Sequence, residues 1–190
     1  MVGPIFAIFI VKNIALGSVA DAARVAGFAA LSFWITKSLL QIPIGRYLDK
    51  NHGEKDDFLF MTIGTFMMAL VPIGYLLSSQ PWHIYALQVF YAVAAAVNFP
   101  SWSAIFTRHI DPGKEAMEWG THSTLSGIGV GVAGGIGGIA VAAFGFAAVF
   151  IFVSTFTLIS GFLLLVVRDE ISPKNEKTLR RPVERVAIKM

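Results

Sequence analysis

Six stretches of the chain, at 2–20, 25–44, 58–77, 84–106, 121–143 and 146–167, are each about as long as the hydrocarbon core of a bilayer demands and carry almost no charge. This feature constrains folding more than any other. A segment in hydrocarbon must satisfy its own backbone N–H and C=O groups, which leaves only helices or a closed barrel. A barrel requires polarity that alternates along short strands, and these runs show no such alternation, so the expectation is helical. The composition agrees, with 55% hydrophobic and 14% charged residues, against about 25% charged in soluble domains. No basic region precedes the first stretch and Lys12 interrupts it, so it is expected to be a retained helix and not a cleaved signal.

The connectors alternate in character. Those at 21–24, 78–83 and around Gly145 are short, whereas 45–57, 107–120 and the tail 168–190 are longer and basic. Twelve of the fifteen Lys and Arg residues lie in the second set, against Arg24 alone in the first. By the positive-inside rule both termini are expected to be cytoplasmic. The chain then divides into a bundle at 1–167 and a solvated basic tail at 168–190, in which acidic residues and Pro182 dilute any lipid-binding patch. Cysteine is absent, which excludes disulfides, thiolate metal sites and a cysteine nucleophile.

After the second stretch the sequence reads Gly45-Arg46-Tyr47-Leu48-Asp49-Lys50-Asn51-His52-Gly53-Glu54-Lys55. This resembles the signature loop of the major facilitator superfamily, with Gly45, Asp49, Lys50 and Gly53 matching. It departs by one extra residue between Asp49 and Gly53, and by Asp56-Asp57 where that family often has basic residues. Arg108 at the end of the fourth span and the glycine-rich fifth span are also similar to the family. The resemblance implies an all-α membrane protein of six transmembrane helices, one half of the major facilitator fold built from two three-helix repeats. It further implies a cytoplasmic gate at Gly45, Arg46, Asp49, Lys50, Gly53 and Arg108, in which Asp49 pairs with Arg108, and a cavity lined by the first and fourth helices. The substrate path in that family runs between two halves. A lone half therefore implies a homodimer or pairing with another six-helix half; a truncated half of a twelve-helix transporter is the remaining alternative.

Lys12 and Lys37 are the two basic residues inside spans, and each costs about 2.5–3.5 kcal/mol to place there. All twelve acidic residues map to connectors, span ends or the tail, so an unpaired cation near the midplane favours an anionic ligand; snorkelling or a structural bridge is the blander account. Trp34, Lys37 and Gln41 share one helix face. Gln88, Tyr91, Ala95, Asn98 and Trp102 form a partly polar stripe that should face protein or water. The candidate substrate-binding residues are thus Lys12, Asn13, Lys37, Gln41, Gln88, Tyr91 and Asn98. Gly127, Gly131, Gly134, Gly135 and Gly138 make overlapping Gly-x-x-x-Gly pairs, which serve close helix packing inside the bundle or on a dimer face. The uncharged third and sixth spans read as lipid-facing. His122 with Glu118 is the one titrating pair near a membrane entrance, and at a span end it is expected to be merely solvated.

These readings favour a half-size transporter or facilitator of a small polar or anionic solute, working by alternating access as a dimer in the plasma (inner) membrane. A non-transporting membrane subunit or scaffold is the competing class. No His-Glu-x-x-His, Gly-x-Ser-x-Gly or phosphate-loop pattern is present, so an enzyme is not expected. Neither are a cofactor, a metal site or a nucleic-acid partner.

Overall fold

The computed structural model describes residues 3–15, 18–51 and 53–171. These are helical throughout their regular structure: α1 (Gly3–Phe9) runs into a π-helical turn (Ile10–Ile14), followed by α2 (Val19–Asn51), α3 (Glu54–Leu76), α4 (Pro81–Arg108) and α5 (Glu115–Ile171). Four of them, α2 to α5, are long and apolar enough to cross a membrane.

The 57 residues of α5 would reach about 85 Å as one rod, against a hydrocarbon core of about 30 Å. Gly145 prevents that. Its φ of 80° and ψ of 172° fall in a region that essentially only glycine occupies, and they break α5 into arms at 115–144 and 146–171. The turn expected at Gly145 is therefore present. The first helix differs from expectation, because regular structure stops at Ile14 and Ser18 starts the next helix by accepting the Asp21 N–H at 3.2 Å. The connector expected at 21–24 is already the first turn of α2. From Gly3 to Ile14 the rise is only about 18 Å, short of a full crossing.

The longer basic connectors at 45–57 and 107–120 also prove helical over much of their described length. α2 continues through Gly45 to Asn51, and α3 begins at Glu54 with Gly53 extended as its cap. A helix leaving hydrocarbon keeps its internal hydrogen bonds until residues stop supporting them, so span and helix need not end together. Glu54, Asp56 and Asp57 occupy the first turn of α3, where the helix dipole favours negative charge. That explains why acids stand where basic residues were looked for.

α4 lies against α2 and α3, α3 also packs on α5, and the first helix touches α5 and α2. Ala22, Val25, Ala29 and Phe33 form the inward stripe of α2, and Ala92, Ala94, Ala95 and Ala96 keep α4 thin where its neighbours close on it. Phe9, Tyr75 and Phe150 bring α1, α3 and the second arm of α5 into one aromatic cluster, with centroids 5.2–6.2 Å apart. Since lipid tails are as apolar as the core, this packing is held by van der Waals fit and interhelical hydrogen bonds more than by water exclusion.

The third and sixth spans are not simply lipid-facing. α3 buries Phe58, Met61, Thr62, Gly64, Ala69, Val71 and Tyr75, and the second arm of α5 buries Val149, Phe150, Ser154 and Gly161 while exposing Phe152, Phe156 and Phe162. Ser154 Oγ donates to the Ala69 carbonyl at 2.7 Å, joining the two. Absence of charge had hidden two-sided helices whose inward faces mix large apolar side chains with small or hydroxyl-bearing ones such as Gly64, Thr62 and Ser154.

Candidate functional site

Lys12 and Asn13 sit in the π-helical turn, where Ile10 and Ile14 point into the core and both polar side chains are exposed. The Ala15 N–H reaches back to the Ile10 carbonyl at 2.8 Å. Such a turn adds a residue to the helical repeat and re-aims its side chains, a device frequent at functional sites. Asn13 Nδ2 donates to the Phe9 carbonyl at 3.1 Å. Among the described residues, no carboxylate lies within ion-pair distance of Lys12.

Lys37 is held differently. Its Nζ lies 5.1 Å from the centre of the Trp34 ring and 4.9 Å from that of Phe99. Each ring contributes about 0.5–2 kcal/mol, enough together to offset much of the insertion cost of about 2.5–3.5 kcal/mol. Lys12 has no such compensation, so it is the stronger candidate for an anion. Trp34 and Lys37 do share a face, as their spacing implied; Phe99 on α4 was not foreseen. Gln41 follows on α2, half-buried.

The stripe on α4 faces protein. Gln88 is buried and donates from Nε2 to the Tyr75 hydroxyl at 3.2 Å. Tyr91 stacks on Phe33 with centroids 5.1 Å apart. Asn98 Nδ2 donates to the Met61 carbonyl at 2.8 Å and Thr65 Oγ1 at 3.0 Å. Gly64 makes that approach feasible, since a Cβ there would stand 2.6 Å from Asn98 Cβ. Gln88 and Asn98 are thereby bound to α3, and Tyr91 to α2. Of the seven cavity candidates, the structure leaves Lys12 and Asn13 exposed and knits the α4 residues into the bundle. An amide at membrane depth takes the nearest partner, and α3 supplies it.

At the end of the bundle that holds the α2–α3 junction, Gly45, Asp49, Pro100 and Arg108 line a cavity of about 380 Å³. Arg108 pairs with Asp57, not with Asp49 as the resemblance implied. Asp57 is buried in the first turn of α3, while Arg108 stands in the last turn of α4. His109 Nε2 lies 3.8 Å from Glu54 Oε1 beside it, an ion pair when the imidazole is protonated. Acids at a helix N-terminus and bases at a C-terminus each match the local dipole, so this double contact closes α3 on α4. Asp49 is left exposed on α2 across the cavity, as are Arg46 and Lys50. The cue to Asp57 was its place just after a cap-like glycine.

The glycine assignments split. A Cβ added at Gly127, Gly131, Gly134, Gly135 or Gly138 meets nothing within 4 Å, whereas at Gly64, Gly74, Gly137 and Gly161 it would collide with a neighbouring helix. Packing inside the bundle thus uses glycines that the repeated motif did not mark. No residue at 115–144 is buried. At the start of that arm His122 is not merely solvated: it is half-buried against Trp102, at 4.5 Å between centroids, and Phe106, at 5.4 Å. Its Nε2 also lies 3.2 Å from Ser126 Oγ.

Long apolar helices that join through small residues and interhelical hydrogen bonds define an all-helical membrane protein. The family profile of the Major Facilitator Superfamily matches residues 1–189, and the chain belongs to that family, whose members are transporters. Its 190 residues fit a half-size member. No curated protein and no solved structure matches it.

Proposed function

We propose that this chain is one six-helix half of a secondary transporter for a small polar, anionic solute, paired with a second copy or another half and moving by alternating access. On this reading, residues 1–167 form six spans in the plasma (inner) membrane, the first being the stretch 2–20 of which the helix Gly3–Ile14 is only a part, both termini are cytoplasmic, and the tail lies on that side; residues 172–190 fall outside the described part. No chemical step is assigned to it. The observation that carries the proposal is Lys12, exposed from a π-helical turn within an apolar helix, with no carboxylate in ion-pair distance among the described residues. Substrate sites in such folds lie near the midplane between repeats.

The test is uptake of radiolabelled acetate, lactate, succinate and phosphate into proteoliposomes. Lys12→Ala is expected to lower the uptake of the transported anion at least tenfold, with Lys12→Arg retaining part of it. Uptake unchanged in Lys12→Ala removes the anion site. A scaffold role is favoured by one observation, the open glycine surface of Gly127, Gly131, Gly134, Gly135 and Gly138, where an added Cβ meets nothing within 4 Å. It predicts no uptake of any solute and loss of assembly when Gly131 is enlarged.

A further inference from the structure

A second cavity lies between the helices of the bundle. Its volume is about 260 Å³, and its walls come from α1, α3, α4 and the second arm of α5: Phe6, Tyr75, Gln88, Tyr91, Phe150 and Val153 are among them. No Asp, Glu, Lys, Arg or His lines it. One wall group is unsatisfied. Gln88, 5% exposed, uses its Nε2 on the Tyr75 hydroxyl, while its Oε1 is buried with no hydrogen-bond partner.

A buried carboxamide oxygen without a partner costs about 1–3 kcal/mol, and an apolar cavity of about 150 Å³ already accepts benzene. We propose that this cavity is a binding site for a neutral, ring-sized aromatic molecule carrying one hydroxyl, which donates to Gln88 Oε1 and lies among the rings of Phe6, Tyr91 and Phe150. A hydroxyl suits both orientations of the carboxamide. With the amide turned over, Tyr75 donates to Oε1 and Nε2 becomes the unfilled group, which the same hydroxyl satisfies as acceptor. A charged ligand is excluded by the desolvation it would suffer among these walls. The named walls belong to this chain and the site takes a neutral ligand, so the titration below reads binding directly and not through uptake of an anion.

The test uses two probes, 4-fluorophenol and fluorobenzene, titrated by ¹⁹F NMR onto the full chain in nanodiscs, with empty nanodiscs as the reference for partition into lipid. Saturable binding of 4-fluorophenol is expected. Gln88→Leu should weaken it about five- to tenfold, the range of one hydrogen bond, without weakening fluorobenzene. Val153→Trp, which plugs the cavity, should abolish both. Thr157→Phe is a second plug from the same wall, and helical content by circular dichroism identifies any variant that has not folded. The proposal is overturned by 4-fluorophenol that never saturates above the lipid reference, by equal affinity in the plugged variants, or by a Gln88→Leu effect that is the same for both probes.

Discussion

Asp57 brings its carboxyl group into a nearly dry position, with 2% of its side chain exposed, and its partner Arg108 retains 40%. Removing one member of a fully buried pair costs about 3–5 kcal/mol, because the other charge is left uncompensated. Water still reaches Arg108, so the expected loss for Arg108→Met is smaller, about 2 kcal/mol. Asp49→Asn, at an exposed position, should stay within about 0.5 kcal/mol of the parent. Thermal unfolding in detergent, followed by tryptophan fluorescence, separates them: equal destabilisation by the two variants would restore Asp49 as the structural partner. The pair was only half legible in the sequence. Arg108 stood out as the basic end of a span, but choosing among Asp49, Asp56 and Asp57 depends on the rotation of α3 about its axis, which a local pattern does not fix. Lys37 shows the reverse case: Trp34 was readable by spacing on its own helix, and Phe99 on α4 was not.

Among the elements, the apolar runs were legible because hydrocarbon leaves the backbone few alternatives. Their ends were not, since α2 and α4 continue past the membrane-length windows for as long as their own hydrogen bonds persist. The π-helical turn at Ile10–Ile14 leaves no mark in composition, yet it decides which way Lys12 faces. Gly145 is the boundary that could be read, as a glycine between two long apolar stretches, and its backbone makes the expectation strict. With φ at 80° and ψ at 172°, Gly145→Ala should cost about 1–3 kcal/mol. Gly127→Ala, with helical backbone and nothing within 4 Å of the added methyl, should be neutral or slightly stabilising, as glycine is the poorer helix former. Comparing the two midpoints of unfolding checks this, and a Gly145→Ala midpoint at or above that of Gly127→Ala would show that the turn is not held as described.

For the whole molecule, the two kinds of glycine distinguish the fold of one chain from its assembly. Gly64 lies at the α3–α4 crossing, where a Cβ would stand 2.8 Å from the Ala94 carbonyl oxygen. Backbone cannot yield as a side-chain tip can, so Gly64→Leu is expected to prevent the bundle from forming. A Cβ at Gly131 or Gly135 meets nothing within 4 Å, and their small size lets another helix approach closely. The proposed pairing of two halves uses such an approach, and a two-fold axis along the membrane normal supplies it with both copies in the same orientation. Native mass spectrometry from nanodiscs is expected to find two copies of the 20.6 kDa chain. Gly131→Leu and Gly135→Leu should release single copies whose unfolding midpoint is no lower than that of an isolated parent chain. A parent that remains single at every concentration rules out self-pairing and directs the search to a different half. Dimers that persist in both leucine variants place the contact on another face.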